Sequence, residues 1–142
     1  LGYRYTQGSL LKNKNLTDLF IGDDKQVDTH APKRTEEAFA FGKEEWKQFK
    51  ERMPLPQIKN LCFGCGYHFD TLSLKEAVNL EKLQFGCPDK ETVFCKPFQI
   101  TEIKKLDLSA NKNLKSLVLR DTETKVLDLR KNNRKIDYKR KI

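Results

Sequence analysis

Residues 72–85 read "LSLKEAVNLEKLQF" and residues 106–119 read "LDLSANKNLKSLVL". Laid over one another without a gap, Leu72 meets Leu106, Leu74 meets Leu108 and Asn79 meets Asn113. Leu80, Leu83 and Phe85 then meet Leu114, Leu117 and Leu119. Shorter echoes lie on either side. "QIKNLCFGC" (57–65) returns 22 residues later as "NLEKLQFGC" (79–87), and "LDL" at 106–108 returns 21 residues later at 127–129. The unit opened by that last "LDL" continues as "RKNNRKIDY", two residues short, and reaches only Ile136 and Tyr138. Self-similarity at a fixed spacing marks a chain built from stacked supersecondary units.

Within each unit the spacing is apolar-x-x-apolar-x-apolar: Ile58/Leu61/Phe63, Leu80/Leu83/Phe85, Ile103/Leu106/Leu108 and Leu114/Leu117/Leu119. The last two positions alternate as a strand requires, and the first marks the corner leading into it. One short strand cannot bury its apolar side alone, whereas copies stacked edge to edge make a continuous core. The spacing therefore predicts parallel strands near 58–63, 80–85, 106–108 and 114–119, with every repeated Leu turned to a common interior. "NLTDLFIG" (15–22) gives the same spacing again through Leu16, Leu19 and Ile21, twice 21 residues before Ile58, Leu61 and Phe63.

"IKKLDLSAN" (103–111) and "TKVLDLRKN" (124–132) resemble the leucine-rich repeat signature L-x-x-L-x-L-x-x-N/C, in particular that of the short bacterial members. The resemblance covers about 55–138. It implies a repeat solenoid of stacked parallel strands, with a mostly irregular or short-strand convex side. It also implies that Asn111 and Asn132 cap the turn after the strand. In the earlier copies Gly66 and Pro88 stand where that Asn is expected. Family members of this kind present a strand face to another protein, so the resemblance implies a non-enzymatic interaction module. Its outward positions on the strands following the helix are Asn60 and Cys62, then Lys82 and Gln84, then Ser116, Val118 and Arg120. We take Asn60, Lys82, Gln84, Ser116, Val118 and Arg120 as the expected partner-binding residues, although a second strand set could also supply the surface.

The rest of the chain frames this array. At 142 residues, 37% apolar and 34% charged, it is expected to form one domain over 13–142 behind an N-terminal extension, 1–12. In "GKEEWKQFKERMP" (42–54), Trp46, Phe49 and Met53 form one helical stripe. Acidic residues open the segment, basic residues close it, and Pro54 stops it. This helix-bearing segment, 33–54, is expected to shield one end of the stack. "GCPDKETVFCKPFQIT" (86–101) lacks the apolar spacing and holds two prolines, as an inserted loop would.

The net charge of +8 is uneven, for +6 of it lies in 125–142. A basic end over 130–142 suits nucleic acid or another polyanion, which is the alternative function. Tyr138 is the only aromatic there, a poor base-stacking platform, and a solvated end is the simpler reading. Cys62, Cys65 and His68 in "CFGCGYH", with Cys87, have spacings that zinc sites use. Against this, Cys65 and Cys87 occupy the same place in successive copies, where a thiol packs as a small hydrophobe. No metal and no cofactor are expected, and the four residues are kept as the zinc alternative. Neither His30 nor His68 lies in a nucleophile or acid–base pattern, so no enzyme is expected. No segment has the length of a membrane span or the order of a signal peptide, which leads us to expect a cytoplasmic protein. The chain begins at Leu, so a longer parent chain is compatible with all of this.

Overall fold

The computed structural model describes residues 10–21, 43–64, 67–86 and 100–141. The fold is mostly parallel β-strands in two sheets, with one α-helix. In chain order the elements are β1 (Asp18–Ile21), α1 (Lys43–Arg52), β2 (Asn60–Phe63) and β3 (His68–Ser73). They continue with β4 (Lys82–Phe85), β5 (Thr101–Asp107), β6 (Ser116–Arg120), β7 (Thr122–Leu127) and β8 (Asp137–Lys141). A five-stranded sheet has the order β1-β2-β4-β6-β8 and a three-stranded sheet the order β3-β5-β7. From β2 onward, successive strands therefore fall alternately in the two sheets.

Register follows the sequence echoes. Leu61, Leu83 and Leu117 are mutual neighbours in the five-stranded sheet, as are Phe63, Phe85 and Leu119. β1 adds Leu19 and Ile21 to the same two rows, opposite Leu61 and Phe63. All of these side chains are buried in one cluster with the inward residues of the other sheet. Before β2, β4 and β6 the chain turns a corner. There the N–H groups of Ile58, Leu80 and Leu114 donate to the carbonyls of Leu55, Ala77 and Asn111. The three corner side chains are completely buried.

The expected strand at 106–108 is corrected by this arrangement. Residues 101–107 form β5, which lies in the three-stranded sheet and pairs Ile103 with Phe69 and Leu106 with Leu72. The apolar spacing of 103–108 is the same as in the other copies, but its first residue sits inside a strand rather than at a corner. Of the two alternatives for that side, irregular or short-strand, the structure has strands, β3, β5 and β7. Leu72–Leu106 pairing also moves the turn equivalence: five residues beyond each lie Ala77 and Asn111, so Ala77 occupies the earlier Asn position. Gly66 and Pro88, assigned to it from the sequence, lie outside the described residues.

Asn111 and Asn132 tie adjacent turns together. The Asn111 amide Nδ2 donates to the carbonyls of Leu74 and Ala77, both at 2.9 Å. Asn132 Nδ2 donates to Leu108 O at 2.8 Å and to Asn111 O at 3.1 Å. Both side chains are buried, and each amide gives a second hydrogen bond to two carbonyls that already accept a backbone N–H within their own turn, which couples one turn to the next. Asn79 and Asn113 make a second such set, donating to Pro56 O and Val78 O.

Helix α1 has the extent that the Trp46/Phe49 stripe predicts, and both rings are buried with Met53 just beyond. Trp46 stacks on Phe49 at 5.4 Å and meets Phe63 and Phe69 at 6.1 and 5.9 Å. The helix thus contacts one strand of each sheet. Phe63 stacks on Phe85 at 4.9 Å with the rings nearly parallel, which carries the aromatic cluster into the next strand.

Candidate protein-binding face

Strand alternation that buries Leu61, Leu83 and Leu117 turns the intervening side chains outward. Asn60, Lys82 and Ser116 are register neighbours, and so are Cys62, Gln84 and Val118. With Asp18 and Phe20 from β1 they line an open groove of about 530 Å³ across four strands. Five of the six residues expected to bind a partner therefore share one concavity. Arg120 does not line it. It stands at the end of β6, where its carbonyl packs against Gly86.

The groove is apolar along one row and polar along the next. Phe20 is 38% exposed, while Cys62, Gln84 and Val118 are half-buried in the same row. In the neighbouring row Asn60 Nδ2 donates to the Asp18 carboxylate. Just before the strands, Lys115 Nζ pairs with Glu81 at 2.7 Å, and this hydrogen bond with the ammonium charge holds the Glu81 carboxyl below its usual range. Asp18 and Phe20 were not singled out from the sequence, although the "NLTDLFIG" echo carried the signal. If Leu19 and Ile21 extend the buried rows, their neighbours Asp18 and Phe20 must extend the outward ones.

Cys62 faces this groove. Burial pushes its thiol up to about 11, and Sγ points to the carbonyls of Phe63 and Gly86 at 3.8 and 3.7 Å. A protonated thiol is a weak nucleophile and a weak metal ligand. His68 belongs to the other sheet, where Nδ1 meets Glu102 at 3.4 Å. Cys65 and Cys87, needed for the zinc alternative, lie outside the described residues, as does His30. Among the described residues no group of three or more His, Cys, Asp or Glu is placed to hold a metal ion. Among them, too, no helix is long and apolar enough to cross a membrane.

The outer face of the three-stranded sheet differs in kind. Besides His68–Glu102, Lys104 pairs with Asp70 at 3.0 Å. A recess of about 450 Å³ is lined by residues 102–104 of β5 and 123–125 of β7 together with Arg140 of β8, in the five-stranded sheet. Charges of both signs sit side by side there.

Compared with known proteins, the chain matches no family model, no curated protein and no solved structure.

Proposed function

We propose that this chain is a non-enzymatic protein-interaction module of leucine-rich-repeat type, a short solenoid that binds another protein across its five-stranded sheet. The observation that carries the reading is the groove over β1, β2, β4 and β6, with a mostly apolar row of Phe20, Cys62, Gln84 and Val118 beside a polar row of Asp18, Asn60, Lys82 and Ser116. Protein interfaces combine a desolvated apolar centre with a polar rim, and a few residues supply most of the affinity. A surface of this width and shallowness suits a protein segment better than a small molecule, whose sites enclose most of the ligand. The two-sheet winding and the Asn ladder support the repeat reading, because each turn satisfies the backbone of its neighbour.

The test is affinity capture with wild-type protein and with Gln84→Glu, Val118→Glu and Arg120→Glu, each checked for an unchanged melting temperature. At least one variant should weaken capture of a shared partner about tenfold, equivalent to about 1.4 kcal/mol. Normal capture by all three, together with loss on deleting 130–142, would move the site to the basic end.

A further inference from the structure

β8 has a neighbour on one side only, since β6 is its sole partner in the sheet order of the described residues. We propose that the other edge of β8 receives an extended, acidic segment of a partner protein as an additional strand. This site is independent of the sheet-face groove.

The backbone defines the geometry. The Asp137 N–H donates to Lys115 O at 2.8 Å, so Asp137 turns its peptide groups toward β6. Peptide direction alternates along a strand, which leaves Tyr138 and Arg140 pointing their N–H and C=O groups out of the sheet. Such an edge is a template for another strand. The two inward rows end here as well. Tyr138 follows Leu61, Leu83 and Leu117 and is 40% exposed, and Arg140 follows Phe63, Phe85 and Leu119.

Charge selects the occupant. Eight basic residues face two acidic ones in 125–142. Those two are already engaged: Asp128 lies 2.6 Å from Arg130, and Asp137 lies 3.7 Å from Lys139. A second copy pairing the same edge would set like charges directly opposite, which is unfavourable. In a parallel continuation of the sheet, the incoming strand places an apolar side chain beside Tyr138 and acidic ones beside Lys139 and Arg140. Nucleic acid would use the charge but neither the outward peptide groups nor the row that Tyr138 ends.

The experiment measures fluorescence anisotropy of a blocked eight-residue peptide repeating Val-Glu-Glu, of its Lys-for-Glu counterpart, and of an eight-nucleotide oligothymidylate. The acidic peptide should bind at least tenfold more tightly than the basic one. Arg140→Gln should weaken it several-fold, and Arg140→Pro at least threefold more, because proline also removes an outward N–H while remaining tolerated on an edge. Hydrogen exchange on the wild-type protein gives a second readout: the Tyr138 and Arg140 amides should slow on binding, while that of Lys139, which faces β6, should change little. Equal losses in the two Arg140 variants, unchanged exchange, tighter binding of the oligonucleotide, self-association in place of peptide binding, or no binding would each overturn the proposal.

Discussion

In the five-stranded sheet the central strands alternate strictly, one side chain inward and the next outward, through Leu61 and Phe63, Leu83 and Phe85, Leu117 and Leu119. In the three-stranded sheet the alternation breaks: two exposed residues separate buried Phe69 from Leu72, and two more separate Ile103 from Leu106. One sequence spacing, apolar-x-x-apolar-x-apolar, thus serves two backbones. In the first it wraps a corner before the strand, and in the second it runs through a strand with a local irregularity. The outer faces differ accordingly. The three-stranded sheet pairs His68 with Glu102 and Lys104 with Asp70 across strands, while the five-stranded sheet leaves a groove with a mostly apolar row beside one that holds Asp18, Asn60, Lys82 and Ser116.

The largest expected effects lie in the fully buried rows, which both sheets contain. Leu83→Ala or Leu117→Ala should cost about 2–5 kcal/mol, since each leaves a cavity in a fully packed row. Leu127, in the three-stranded sheet, is only partly buried, so Leu127→Ala should cost clearly less in the same denaturant titration. Equal losses would show that Leu127, at the end of the row Leu72–Leu106–Leu127, is packed as tightly as the central strands. Gly86→Ala tests the end of β4. Gly86 has φ of +91°, and an added Cβ would meet Arg120 O at 2.3 Å. A loss of about 2–3 kcal/mol is expected from left-handed strain and the required displacement of β6 backbone.

The turns give a smaller contrast. Asn111→Ala removes two buried inter-turn hydrogen bonds, although both carbonyls keep a backbone donor, and should cost about 1–3 kcal/mol. Asn113→Ala, whose amide makes one exposed bond at 3.3 Å, should fall within about 0.5 kcal/mol of wild type. Matching effects at both positions would remove the buried ladder from the account.

Cys62 supplies the finest distinction, between a groove residue and a reactive thiol. Its ordinary value of 9.0 is raised to about 11 by burial, so the folded protein disfavours the thiolate. Stability should be indifferent to this group below about pH 9 and should fall as pH rises toward 11, because the unfolded chain ionises first. Alkylation mapped by peptide mass should be slow at Cys62 near pH 8. Rapid labelling there, at the rate of a free thiol, would mean that the groove is more open than described.

Much of this architecture was legible in the sequence. The echoes of Leu61/Phe63, Leu83/Phe85 and Leu117/Leu119 located β2, β4 and β6 and their register, and "NLTDLFIG" located β1. The Trp46/Phe49 stripe located α1. The start of β5 was missed because spacing alone does not report whether the first apolar residue turns a corner or continues a strand. The matching segment "FDTLSL" (69–74) was the missing clue, for Phe69, Leu72 and Leu74 carry the same spacing as Ile103, Leu106 and Leu108. It stands only six residues after Phe63, far closer than the 21–22-residue spacing at which the other copies recur. The groove was legible in five of its expected residues. Arg120 fell outside because strand alternation gives the face but not where the concavity ends.

The central claim is that the five-stranded face, and not the three-stranded one, is the surface that binds protein. The most direct measurement compares equilibrium affinity for a captured partner across wild type, Val118→Glu and Lys104→Glu. These place a new carboxylate on the outer face of one sheet or the other. Val118→Glu should weaken binding about tenfold or more, and Lys104→Glu should change it by less than about twofold, with both variants as stable as wild type within about 0.5 kcal/mol. A tenfold loss in Lys104→Glu with Val118→Glu unaffected would contradict the account and assign the partner to the other sheet.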